Sequence, residues 1–267
     1  ESRGLGDVYK RQRYYIQNDF AKSDSFIINI LEKPTIKKLT VDYSFPAYSK
    51  LSNKVEKESS GNIIALKGTK IKFNLLVNNN LLDYRIVFSD GQTIKLKKID
   101  SFQYSAIFTI SKSLSYHFYL EDILHNKNQQ IEHTIYAEED FPPKVEILSP
   151  AEDKILAQNL KEDIGFIASD DFGINELQIA FKKNNEEYTY RIIKKDIDET
   201  NMKGTYTFDV TNQNLLPGDV ICYYLIVYDN CTIPERQSAK SKIYLLKFPS
   251  IEELYEQIQK EQEDKYD

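Results

Sequence analysis

The 267-residue sequence has no tryptophan, one methionine, three histidines and two cysteines, and each shortage closes off a class of protein. The only disulfide two cysteines allow, Cys222 to Cys231, would need roughly 30 Å of extended chain to reverse at once, so two unpaired thiols are expected. Such sparing use of cysteine suits a cytoplasm and a bacterial periplasm equally. His117, His125 and His133 sit in the middle third and the thiols in the last third, so a Cys–His pair would have to cross between modules. No G-x-S-x-G turn, P-loop or H-E-x-x-H segment occurs either, and no catalytic residue is expected.

Basic excess is lacking as well. Lys and Arg number 35 against 41 Asp and Glu, a formal charge of −6 with a pI near 5.3. Neither nucleic acid nor an anionic membrane is attracted by that balance. The longest apolar run, ICYYLIVY (221–228), is far shorter than the roughly 20 residues of a membrane helix, so this stretch is not expected to touch a membrane directly.

What is abundant points to sheet. The chain carries 19 Tyr and 14 Phe, residues that suit pleated surfaces, and its length fits two domains of about 100–130 residues. Alternating apolar segments recur with turn signals about every 8–12 residues, the pattern of a β-sandwich or barrel. In the last third they are KVEIL (144–148), DIGFIA (163–168), INELQIAF (174–181), EYTYRII (187–193), GTYTFDV (204–210), DVICYYLIVY (219–228) and SKIYLLKF (241–248). The middle third repeats the kit from TIKKLTV (35–41) to QIEHTIYA (130–137), with IIAL (63–66) as a short edge strand and hairpin signals SDG (89–91) and LPGD (216–219). A partial third copy, YYIQNDFAKSDSFIINILEKP (14–34), parallels 223–249 and reads as the last hairpin of a further module.

The expected organisation follows. Residues 1–12, ESRGLGDVYKRQ, resemble translated adaptor sequence and are set aside, so the natural protein is expected to extend upstream. A terminal hairpin fills 13–34, immunoglobulin-like sandwiches fill 35–139 and 140–248, and a helix starts in 249–267. In that last segment Ile251, Leu254, Tyr255 and Ile258 fall at helical spacing behind a Ser250/Glu253 capping box. The fold class is therefore all-β, a tandem of immunoglobulin-like sandwiches with a short C-terminal helix.

Two constellations carry possible chemistry. If 114–120 and 130–137 pair in a hairpin centred on His125, His117 and His133 face each other across the strands, but two ligands without a third make a poor metal site. The second lies in ASDDFGINELQIAF (168–181). Asp170 and Asp171 fall between two strands of the last module, Asp229 and Asn230 between two others, and both loops lie at the end where Glu138, Glu139 and Asp140 bring the chain in. Asp140, Asp170, Asp171 and Asp229 are thus candidate metal ligands, and Ca²⁺, which takes 6–8 oxygens, is the candidate ion for a stiffened joint. The plainer reading is that Asp and Asn cap turns through their own backbone.

The segments PTIKKLTVDYSFPAYS (34–49), GNIIALKGTKIKF (61–73), DFPPKVEILSP (140–150), ASDDFGINELQIAF (168–181), LLPGDVICYYLIVYDN (215–230) and FPSIEELYEQIQ (248–259) resemble, in order and spacing, a family of large uncharacterised bacterial envelope proteins. In that family membrane helices precede immunoglobulin-like modules and long helical regions. The resemblance covers residues 13–267 and implies an extracytoplasmic stretch of a membrane-anchored Gram-negative protein, with a protein or polysaccharide of the envelope as partner. The sequence departs from the family at Tyr206, often tryptophan there, and at Cys231, often acidic, which removes one possible carboxylate ligand. A rival reading is a carbohydrate- or protein-binding accessory of an envelope enzyme, hinted at by Tyr188 and Tyr190 on one strand face.

Overall fold

The computed structural model describes residues 11–29, 32–233, 235–253 and 255. A hairpin of β1 (Arg11–Tyr14) and β2 (Phe26–Asn29) comes first. Of the stretch 1–12, residues 1–10 lie outside the described residues, and Arg11 and Gln12 begin β1.

The first sandwich runs through β3 (Ile36–Ser44), β4 (Lys54–Glu56), β5 (Ile63–Leu66), β6 (Lys70–Val77) and β7 (Leu81–Phe88). It continues with β8 (Thr93–Lys95), β9 (Lys97–Lys98), β10 (Gln103–Thr109), β11 (Leu114–Asp122) and β12 (His133–Glu138). Its sheets have the orders β4-β3-β6-β10-β9 and β5-β12-β11-β7-β8. Strict alternation in KIKFNLLV turns Ile71, Phe73, Leu75 and Val77 inward from β6. Phe73, fully buried, crosses the layer to Tyr116 and Phe118 at centroid distances of 5.5 and 5.4 Å.

The second sandwich comprises β13 (Lys144–Ser149), β14 (Lys154–Ile155), β15 (Lys161–Lys183), β16 (Thr189–Asp209), β17 (Val220–Asp229), β18 (Ser238–Lys240) and β19 (Tyr244–Lys247). Here the structure corrects the expected segmentation. DIGFIA and INELQIAF are one 23-residue strand, β15, with a bulge between Ser169 and Ile174. EYTYRII and GTYTFDV likewise merge into β16. The first half of β15 pairs with β13 and the end of β16, and the second half with the start of β16 and with β17. The two long strands therefore pass through both layers, and the layers close on one core in which Phe208 meets Phe181 at 5.1 Å and Tyr223 at 5.7 Å.

The two sandwiches share a topology. In each, a short early strand (β5, β14) pairs in parallel with the last (β12, β19), while all other strand pairs are antiparallel. The fold is an all-β tandem of immunoglobulin-like modules. After β19, residues 251–253 are helical, and the capping box forms: Ser250 N donates to Glu253 Oε2 at 2.7 Å and Glu253 N to Ser250 Oγ at 3.2 Å. Leu254 and Ile258 of the expected helix lie outside the described residues. Among the described residues no helix is long and apolar enough to cross a membrane.

Candidate functional site

The histidine pair does not form. His133 lies opposite Tyr116, and His117 is paired with Val87 on the other side. The register differs by one residue from the expected one, which turns the neighbouring side chain to the other face. His133 instead packs on the Tyr116 ring at 5.3 Å, and burial lowers its pKa. Cys222 and Cys231 are both free thiols.

The acidic residues do converge, at the joint between the sandwiches. The first sandwich contributes a short 3-10 turn, Ala47–Ser49, directly after β3. Tyr48 from that turn sits edge-on to Phe172 of the β15 bulge, 6.0 Å between centroids and 86° between planes. Asn230, just past β17, donates from Nδ2 to Tyr48 O (3.1 Å) and to Phe172 O (3.2 Å). Its backbone N donates to Gly173 O at 2.9 Å. Gly173 holds φ at +144°, and a Cβ there would lie 2.7 Å from Asn230 Nδ2, so glycine is required. Lys50 pairs with Asp198 at 2.5 Å, Gln237 Nε2 donates to Asp140 O at 3.0 Å, and Gly68 lets Ile233 approach.

Asp170 answers to both readings of its sequence. Oδ2 accepts from the amides of Phe172 (3.0 Å) and Gly173 (2.7 Å), the local turn expected of Asp before glycine. Oδ1 is buried and has no hydrogen-bond partner. Asp229, with no exposed surface, accepts from Gln237 N at 2.9 Å through Oδ1 and leaves Oδ2 without a partner. Both oxygens of Asp140, in the linker between β12 and β13, are buried and lack a hydrogen bond of good geometry, with Cys231 and Asp171 beside them; Asn230 Oδ1 and Tyr48 Oη, the latter beside Cys231, lack one too. Six of the eight such buried oxygens among the described residues thus lie at this joint.

Asp140, Asp229 and Cys231 each bring a ligand atom within 4.8 Å of the others. The side chain of Asp171 is exposed, and it bears on Asp140 through both its charge and a hydrogen bond. Burial, with the charges of Asp171 and Asp170, pushes the pKa of Asp140 up to about 6. Burial likewise raises Asp170 and, with the charge of Asp170, Asp229. Burial raises the Cys231 thiol too, and Sγ donates to Ile233 O at 3.2 Å. Sequence reasoning placed Asn230 at this end of the module and noted Cys231 there, but missed Tyr48. The P-x-Y turn after the first strand was the available signal for Tyr48.

No known family model matches the chain, and no curated protein does. Several solved structures are similar. The fibronectin(III)-like modules of Clostridium thermocellum CbhA are 14% identical, with 71% of this chain and 90% of that one covered and a TM-score of 0.28. The D00-D0 domain of intimin is 12% identical over 77% of this chain and 98% of that one, with a TM-score of 0.24. For the ICAM-5 D1-D4 ectodomain fragment the identity is 9%, the TM-score 0.30 and the coverage 80%, this chain spanning about half (52%) of that fragment. Scores this low carry no argument about function, and the fold stands on the strand pairing itself.

Proposed function

We propose that the chain is a non-catalytic stretch of tandem β-sandwiches, a spacer that also offers binding surface, in the extracytoplasmic part of a membrane-anchored bacterial envelope protein. The observation that carries this reading is the joint. Tyr48, Lys50 and Gly68 of one module engage Phe172, Asn230, Asp198 and Ile233 of the other, which favours a fixed end-to-end pose over a loose tether. The partner is a protein or polysaccharide of the envelope, met by loops or by a short sheet edge.

The chemistry of the side chains supports a non-catalytic role. A nucleophilic thiol needs a lowered pKa and access, whereas Cys231 is buried and raised. The rival carbohydrate platform gains little from the tyrosines. Tyr188 packs edge-to-face on Tyr224 at 5.1 Å, under Lys182 and Lys240, and Tyr190 alone of these rings is mostly exposed. Paired spin labels, one on each sandwich, should give a single narrow distance distribution, and the full gene should encode membrane helices upstream. A broad distribution refutes the spacer; a cytoplasmic full-length protein refutes the placement.

A further inference from the structure

A buried carboxylate oxygen with no donor is expensive unless a cation answers it, and this joint holds several. We propose that the joint is a binding site for a hard divalent cation of the Ca²⁺ class, held by the carboxylates of Asp140 and Asp229, which come within 4.8 Å of each other, with the free Oδ1 of Asn230 as a further donor.

Four observations point the same way. The first is orientation. Asn230 spends both Nδ2 donations on carbonyls, so its Oδ1 is left as the free acceptor, while Asp229, wholly buried, leaves Oδ2 free. The second is that no cation among the described residues is bonded to these oxygens. Arg236 is the nearby cation, but it donates to Asp229 O, Asn175 Oδ1 and Glu176, and stacks on Tyr228 at 4.7 Å. None of those bonds reaches the unpartnered oxygens.

The third is a control inside the same chain. Asp122 ends β11 and pairs with Leu81, as Asp229 ends β17 and pairs with Ile174. There both carboxylate oxygens are satisfied, by the amides of Leu124 and Asn126 and the side chains of Asn126 and Asn79, and the pKa is lowered. At Asp229 one oxygen accepts from Gln237 N and the other has no donor. One position in a repeated frame thus has its donors built in, and the other lacks them.

The fourth is donor type. Oxygens outnumber the single thiol, whose hydrogen is committed to Ile233 O, so the set suits a hard ion better than a thiophilic one. A cleft of about 310 Å³ lined by Asp229, Asn230, Cys231 and Arg236 gives the ion a way in. Because Asp140 belongs to the linker and Asn230 holds Tyr48, the ion would tie both modules together. This goes beyond the spacer reading and fails separately from it, since a joint indifferent to Ca²⁺ can still be stiff.

The test is melting of the whole chain in millimolar CaCl₂ and in EDTA, with calorimetric titration of Ca²⁺. Ca²⁺ should raise the melting temperature by about 5 °C or more, reversed by EDTA. Asp140→Asn should weaken binding at least about tenfold and, in EDTA, melt no lower than wild type, because it relieves repulsion. Tb³⁺ emission sensitised through tyrosine should be competed by Ca²⁺ and fall in Tyr48→Phe. Identical melting in Ca²⁺ and EDTA overturns the proposal. So does a Ca²⁺ response undiminished in Asp140→Asn, or a response to Zn²⁺ without one to Ca²⁺.

Discussion

Replacing Gly173 by alanine isolates how tightly the joint is built. The residue sits at φ +144°, where a side chain is strained by on the order of 1–3 kcal/mol. Its new Cβ would also lie 2.7 Å from Asn230 Nδ2 and drive the amide off Tyr48 O and Phe172 O. Two neutral hydrogen bonds lost adds about 1 kcal/mol each, so the total should reach roughly 3–5 kcal/mol. The same change in an Asn230→Ala background meets no amide, and only the backbone strain of about 1–3 kcal/mol remains. A double-mutant cycle should therefore return a coupling of about 2 kcal/mol. Urea unfolding followed by circular dichroism, comparing midpoints at unchanged slope, reads it out. A cost below about 1 kcal/mol, or equal costs in both backgrounds, refutes the picture of Asn230 as a locked bridge.

Other outcomes follow from the same contacts. Phe73→Ala should cost about 3–5 kcal/mol in chemical denaturation, because Phe73 is fully buried among Phe108, Tyr116 and Phe118. Asn79→Asp should lower stability by about 1–3 kcal/mol, since it removes a donor from Asp122 and sets a like charge beside it. Asp209 is held below its ordinary pKa by the amide and hydroxyl of Thr211 and by Lys161. The advantage of wild type over Asp209→Asn should then be present above pH ~4 and vanish as the pH falls through the depressed value, seen in melting at successive pH values. A thiol reagent should label Cys222 in the native protein and both cysteines only after denaturation, because Cys231 is buried.

Much of the fold is legible before any coordinates. Alternation in KIKFNLLV, the SDG turn with Gly91 at φ +87°, the LPGD turn with Gly218 at φ +90° and the Ser250/Glu253 box all act through neighbours in the chain, and all form. The continuity of β15 is not legible. A bulge that carries a strand from one layer to the other uses an Asp that binds its own backbone and a glycine at positive φ, the residues a turn would use. The His133 register was out of reach for a related reason: the loop after β11 sets it, and one residue more or less reverses the face. At the joint, the sequence points to Asp140, Asp170 and Asp229 through their shared end of the module. It cannot show which oxygen of each is spent on the backbone, because Gln237 and Gly173 supply donors only once the chain has folded.

The contrast between Asp122 and Asp229 shows what the repeated frame fixes and what it leaves free. A carboxylate ending β11 in one module and β17 in the other is buried, so something must answer its charge. Around Asp122 the chain supplies four donations from Asn79, Leu124 and Asn126, and Asn79 also bonds Glu32 O of the preceding segment at 2.7 Å. That carboxylate is answered by the protein's own donors. Around Asp229 the comparable positions present Asp170 and Asp140, acceptors rather than donors, so adding carboxylates there raises the demand for positive charge. Removing that demand needs only Asp→Asn changes, which keep shape and supply donors. The charge at Asp122 is thus answered within the chain, whereas Asp229 keeps a carboxylate oxygen that no donor among the described residues meets.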